Sequence, residues 1–194
     1  MRYRLPILLF ITALLGFAFR PAMNVPTPAA TTTAEGKKIN WMSFKQAYEL
    51  NQKAPRKIVI DVYTGWCGWC KVMDQRTFSQ AAIIDYVNEH YYAVKLDAEM
   101  KEDVTIGDKT FKNQGQAHEL AISLLQGKMG YPTTVFLNEK MEMIQPIAGY
   151  LEPRTFHQII TYFGGNYQQK EQFDAYKAGT YVKEHQAAMP VAGR

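Results

Sequence analysis

The feature that most restricts this chain is a short β-branched run that ends in a cysteine pair. Ile58, Val59, Ile60 and Val62 make Lys57 to Tyr63 a buried strand, because stiff β-branched side chains suit a pleated surface better than a helix. Trp66-Cys67-Gly68-Trp69-Cys70 follows at once, and Lys71, Val72 and Met73 continue as helix. Cys67 therefore stands at a helix N-terminus, where free N–H groups and the helix dipole favour a thiolate. The thiolate is the form that attacks a disulfide, and in such motifs the pKa falls from about 8.5 to between roughly 3.5 and 7.5. Cys70 lies about one turn further on, placed to resolve a mixed disulfide. This spacing assigns Cys67 as nucleophile and Cys70 as resolving cysteine.

These 2 cysteines are the whole thiol inventory. A disulfide framework in a small exported protein uses more cysteines at wider spacing. A zinc site would need two further ligands, and His90, His118, His157 and His185 show no paired metal spacing. Haem attachment needs a histidine directly after the second cysteine, where Lys71 stands. A purely structural disulfide is the remaining alternative, and so short a loop gives it little entropic stabilisation. No metal and no cofactor are expected.

The N-terminus reads as an export segment at residues 1–20. Arg2 and Arg4 precede an apolar run from Leu5 to Phe19 that only Thr12 interrupts. That run is shorter than the roughly 20 residues a membrane-crossing helix needs, which favours a signal peptide; an uncleaved N-terminal anchor is the alternative. Either engages the membrane at least during export, and the expected location is periplasmic or otherwise extracytoplasmic. Pro21, Pro26, Pro28 and Thr31 to Thr33 mark residues 21–38 as a flexible spacer. The formal charge of +4 owes much to Arg2, Arg4 and Arg20. The rest is close to neutral, so nucleic acid is not an expected partner.

The remaining chain reads as one domain at 39–165, with an insertion at about 98–126 and a C-terminal extension at 166–194. With 47% hydrophobic residues the chain can bury a real core. Ser43 and Gln46 fit a capping box for a helix that Pro55 ends. Ser79 is the expected cap of a helix carrying Ile83, Ile84 and Val87, and Tyr91 to Leu96 is a second strand. Thr105 to Phe111 fits a small hairpin around Gly107-Asp108, and Gln116 to Gln126 a helix. Pro132 to Leu137 and Met141 to Ile147 are strands joined through Asn138-Glu139-Lys140. Pro153 opens a last helix that Gly164-Gly165 end, and the polar remainder from Asn166 reads as an added helix or a tail. Strands separated by helices, then a hairpin and a helix, give an α/β class with a mixed central sheet flanked by helices on both faces.

Trp66-Cys67-Gly68-Trp69-Cys70-Lys71 after a hydrophobic strand resembles the active site of the thioredoxin superfamily. Three further positions fall in the same order. Asp61, six residues before Cys67, resembles the family's buried acid; Lys95, on the next strand, resembles the lysine that approaches it; Tyr131-Pro132-Thr133 resembles the cis-proline loop facing the cysteines. The resemblance spans roughly Trp41 to Phe163 and implies a thioredoxin-like fold with a Cys67–Cys70 disulfide. It also implies that Asp61 takes a proton from Cys70, that Lys95 tunes Asp61, and that the Tyr131 backbone pairs with an incoming peptide. Trp66 and Trp69 supply an apolar contact surface for a protein substrate. Trp69 stands where proline is usual in thioredoxins, and this departure bears on redox direction.

The expected function is an exported thiol–disulfide oxidoreductase that reduces protein disulfides and draws electrons from a membrane thiol-reducing donor. Its partners are protein disulfides and thiols. The alternatives are a disulfide oxidase or isomerase, or a non-catalytic thioredoxin-like module that binds clients or handles copper.

Overall fold

The computed structural model describes residues 36–185 and 187–189; the export segment and the spacer up to residue 35 lie outside them. A five-stranded mixed sheet forms the centre, with strand order β1-β3-β2-β6-β7. The strands are β1 (Trp41–Met42), β2 (Lys57–Tyr63), β3 (Tyr91–Asp97), β6 (Thr133–Leu137) and β7 (Met143–Ala148). β1 and β2 both pair parallel with β3, whereas β6 pairs antiparallel with β2 and with β7. A separate hairpin joins β4 (Val104–Ile106) and β5 (Lys109–Phe111).

β2 is buried on both faces, which is why its apolar run does not alternate with polar residues. On one face Val59, Ala93 and Phe136 pack with α2 (Gly68–Arg76), α3 (Ala81–His90) and α5 (Pro153–Gly164), through Met73, Ile83, Val87, Phe156 and Ile160. On the other, Ile58, Ile60, Val94 and Val135 meet Phe44 and Ala47 of α1 (Phe44–Lys53) and Leu120, Ala121 and Leu124 of α4 (Glu119–Leu124). Each such aliphatic side chain contributes about 2 kcal/mol by leaving water. Lys57 is also buried at the start of β2, where its ammonium lies 2.5 Å from Glu139 Oε1.

The Ser43–Gln46 capping box is present in both directions. Other local expectations are corrected. Ser79 does not cap α3: its hydroxyl donates to Gln75 O at 2.6 Å, and Gln80 holds the cap position without a side-chain bond. The helix expected at Gln116 to Gln126 is shortened to α4. The buried His118 caps it by accepting from the Leu120 N–H, and Gln126 (φ 53°) and Gly127 (φ 75°) turn left-handed beyond its end. The turn before β7 is longer than Asn138-Glu139-Lys140, because Asn138 Oδ1 accepts from the N–H groups of both Lys140 and Glu142. Trp41 and Met42 form a strand that the sequence does not announce.

After Asn166 the chain forms a 3-10 turn (Tyr167–Gln169), α6 (Phe173–Ala178) and α7 (Thr180–His185). Tyr176 and Tyr181 are fully buried in the core against α5. The Tyr176 hydroxyl donates to Thr161 Oγ1 at 2.8 Å, and the Tyr181 hydroxyl lies 3.0 Å from His157 Nδ1.

His157 makes this packing pH-sensitive. Burial, with His185 and Arg154 nearby, lowers its pKa to about 4. Tyr181, Tyr86 and His185 supply the aromatic neighbours. An unfolded histidine titrates near 6.5, so between that pH and about 4 the unfolded chain binds more protons than the folded one. Stability is therefore full above about pH 6.5 and falls by about 2–3 kcal/mol as pH drops through this window. Urea midpoints at pH 7 and pH 4.5 measure the loss, and His157→Gln flattens it. An unchanged slope in that variant would place the acid sensitivity elsewhere.

Candidate active site

The cysteines lie where β2 hands over to α2. Cys67 is the N-cap of α2, and its Sγ accepts the Cys70 N–H at 3.1 Å. Its own N–H donates to Thr64 O at 3.2 Å, which closes the turn between strand and helix. Cys67 and Cys70 are joined in a disulfide with Cα atoms 5.3 Å apart, and both residues are buried. An N–H aimed at Sγ from the first turn is the interaction that holds a thiolate once the bond is reduced.

Asp61 is 1% exposed and sits in a polar row across the sheet, in register with Lys95 on β3 and Thr134 on β6. Lys95 Nζ lies 2.6 Å from Asp61 Oδ2 in a close ion pair, and among the described residues the buried carboxylate has no further hydrogen-bond partner. Burial raises the Asp61 pKa, and the attraction of Lys95 only partly offsets it. A carboxyl with that balance takes up a proton more readily than an exposed aspartate. Lys95 also bonds the Asp74 carboxylate on α2. Burial acts to lower the Lys95 pKa, but Asp61 and Asp74 together hold it above the ordinary value. Its Nζ lies 5.1 Å from each of the ring centres of Trp41, Tyr63 and Phe78.

Pro132 follows a cis peptide bond from Tyr131 and leads into β6, beside the end of β2 that carries the cysteines. The Pro132 carbonyl accepts from the Gly149 N–H at 2.8 Å. Trp66 and Trp69 are 68% and 61% exposed, so their apolar surface faces outward beside the sulfurs. Trp66 meets the Tyr131 ring edge-on at 5.8 Å, and Trp69 lies against Tyr150 at 5.4 Å. Trp69, Tyr131, Pro132, Gly149 and Tyr150 line a shallow hollow of about 350 Å³. The residues singled out from sequence thus gather at one end of the sheet.

Three participants are not evident in the sequence pattern. Asp74 lies four residues after Cys70, and that helical spacing, which puts both on one face, is the signal that finds it. Glu99, two residues after the end of β3, accepts the Trp66 indole N–H at 3.0 Å, and Asn113 ties the neighbouring Met100 carbonyl at 2.9 Å. Tyr150 is the third; neither it nor Glu99 carries a sequence signal. Among the described residues no group of three His, Cys, Asp or Glu side chains is set to hold a metal ion.

The family model Thioredox_DsbH, whose description reads "Protein of unknown function, DUF255", matches residues 30–186. The thiol:disulfide interchange protein DsbD of Pasteurella multocida is 29% identical over 151 residues, covering 76% of this chain and 24% of that protein. An uncharacterized protein of Caenorhabditis elegans is 30% identical over 112 residues, covering 57% of this chain and 14% of its own. This chain thus spans a quarter or less of the length of these relatives. Among solved structures, a thioredoxin-fold protein from Helicobacter pylori aligns with TM-score 0.50 at 15% identity, over 72% of this chain and 96% of that one, a likeness of fold.

Proposed function

This chain belongs to the Thioredox_DsbH family within the thioredoxin-like fold, and on that premise we propose that it is an exported thiol–disulfide oxidoreductase that reduces disulfides of client proteins. In its reduced state the Cys67 thiolate attacks one sulfur of a client disulfide. The client S–S bond breaks, a Cys67–client bond forms, and the other client sulfur leaves as thiolate and takes a proton. Cys70 gives its proton to Asp61 and attacks the Cys67 sulfur. The second client sulfur departs as thiolate and takes the proton that Asp61 received, so the Cys67–Cys70 disulfide and an ionised Asp61 remain. Two electrons have passed to the client, so a thiol donor must return two electrons, with one proton to Cys70, to restore the Cys67 thiolate and Cys70 thiol; a membrane thiol-reducing system fits that role. The DsbD relative, a thiol:disulfide interchange protein by name, supports the class of chemistry.

The observation that carries the direction is the local charge. A strong oxidant arises when the reduced form is specially stabilised. Here the Lys95 ammonium is shared by Asp61 and Asp74 instead of being aimed at a thiolate, and Cys67 Sγ draws on the Cys70 N–H. The Cys70 N–H favours the Cys67 thiolate, but among the described residues no cation is engaged with the sulfurs to stabilise the reduced form further, and that supports the reading of the dithiol as a donor.

Equilibration against glutathione tests the reading. A potential near about −270 mV is expected for a reductant. A value near about −120 mV would reverse the direction to oxidase, and a pair that does not exchange with glutathione would sink the redox reading. Export rests on the run from Leu5 to Phe19, with 1–20 as signal or anchor and 21–38 as spacer. Among the described residues no helix is long and apolar enough to cross a membrane.

A further inference from the structure

The Lys95 ammonium has more partners than an acid of the Asp61 kind needs. It contacts Asp61 on β2 and Asp74 on α2, and the rings of Trp41, Tyr63 and Phe78 surround it. Asp61 is inside the protein, whereas the Asp74 side chain is 47% exposed. Lys95 and Asp74 both line a cleft of about 570 Å³, together with Trp41, Phe78, Ser79 and Ile84. The cation thus stands between one dry carboxylate and one wet one.

We propose that Asp74 is a positioning residue: it shares Lys95 with Asp61, so that the ammonium is never wholly committed to the buried acid and Asp61 stays able to accept a proton. This rests on the reading of Asp61 as the acceptor of the Cys70 proton.

The charge logic is direct. If Lys95 served Asp61 alone, their close ion pair would hold Asp61 as carboxylate and make it a poor base. Asp74 draws the ammonium toward the cleft and adds a negative charge near Asp61, and both effects favour the protonated form. When Asp61 gains its proton, its attraction for Lys95 falls, while Asp74 still holds the cation at the cleft. When the proton leaves, Lys95 is within reach to pair again. The groups facing Asp61 are Lys95 on β3, Asp74 on α2, Thr134 in register on β6, and Tyr63 two residues on along β2. The aromatic ring set keeps the shared ammonium from swinging into bulk water.

The test uses the full chain with its disulfide formed, so it needs no turnover. The Asp61 carboxyl is followed by carbon-13 NMR across pH in the wild type, Asp74→Asn and Asp74→Glu. Asp74→Asn lowers the Asp61 midpoint by about one pH unit, and Asp74→Glu restores most of it. In a Lys95→Met background the same Asp74→Asn change has only a minor effect, because nothing remains to share. An unmoved midpoint in Asp74→Asn overturns the proposal. So does an equal drop in Asp74→Glu, or a full shift without Lys95. Client reduction by the wild type is measured separately: a protein that shows these shifts yet exchanges no disulfide sinks the redox reading and leaves the sharing of Lys95 standing.

Discussion

Cys67→Ser abolishes client reduction, with a fall on the order of 10³-fold or more, and Cys70→Ser traps the client instead of releasing it. The two substitutions separate because the two sulfurs occupy different positions on one helix turn. Cys67 is the cap, with its Sγ turned to the Cys70 N–H, so it is the sulfur whose thiolate is stabilised. A serine hydroxyl there is not ionised near neutral pH and cannot displace a thiolate from a disulfide. Cys70 lies within the first turn of α2 and is as buried as Cys67, so its role follows from its position beyond the cap, where it is placed to attack the Cys67–client bond. Without Cys70 the first exchange proceeds and the second does not. A model disulfide peptide, followed by mass spectrometry with and without reductant, reads both outcomes. Residual reduction by Cys67→Ser near the wild-type rate would show that the pair is not the reacting centre. Fast release by Cys70→Ser would show that some other group resolves the intermediate.

Tyr176→Ala destabilises the protein by about 3–5 kcal/mol, although it lies outside the stretch that resembles thioredoxins. The ring is fully buried, with ring centres of Tyr162, Tyr167 and Tyr181 at 5.1, 4.8 and 6.0 Å. Truncation leaves a cavity in a packed layer and removes the hydroxyl that donates to Thr161 Oγ1, which keeps its own bond to the His157 carbonyl. Tyr176→Phe keeps the ring and loses only the hydrogen bond, so it costs about 1 kcal/mol. Whole domains are stable by only about 5–15 kcal/mol, so the alanine variant consumes a large share. Urea unfolding of the three proteins measures the order. An alanine variant within about 1 kcal/mol of wild type would mean that the segment after Asn166 adds nothing to the fold.

The contrast between these two regions explains what was legible in the sequence. β2 was legible because its β-branched run is buried on both faces and ends in a motif with fixed spacing. Asp61, Lys95 and Pro132 were legible only through resemblance, and the fold places Lys95 and Asp61 in one cross-strand register and Pro132 beside the same strand end. The tail was not legible because α6 and α7 are six residues each, too short for a helical period to emerge. Its site on α5 was disguised as well. His157 and Thr161 look like a solvent-facing polar stripe, one turn apart, yet they are the partners of the Tyr181 and Tyr176 hydroxyls. Polar residues that satisfy buried tyrosines read, in sequence, like residues that satisfy water. Asp74 escaped for another reason: its meaning depends on Lys95, which comes from a different strand.

The placement of the indoles has an optical consequence. The chain has 3 tryptophans. Trp66 and Trp69 flank the disulfide, and Trp41 lies over the Lys95 ammonium. Two of the three indoles therefore report from beside the sulfurs, and the third from beside the ammonium that pairs with Asp61. Unlabelled protein carries its own dye for the oxidation state of Cys67 and Cys70, and stopped-flow emission can time each exchange as it happens.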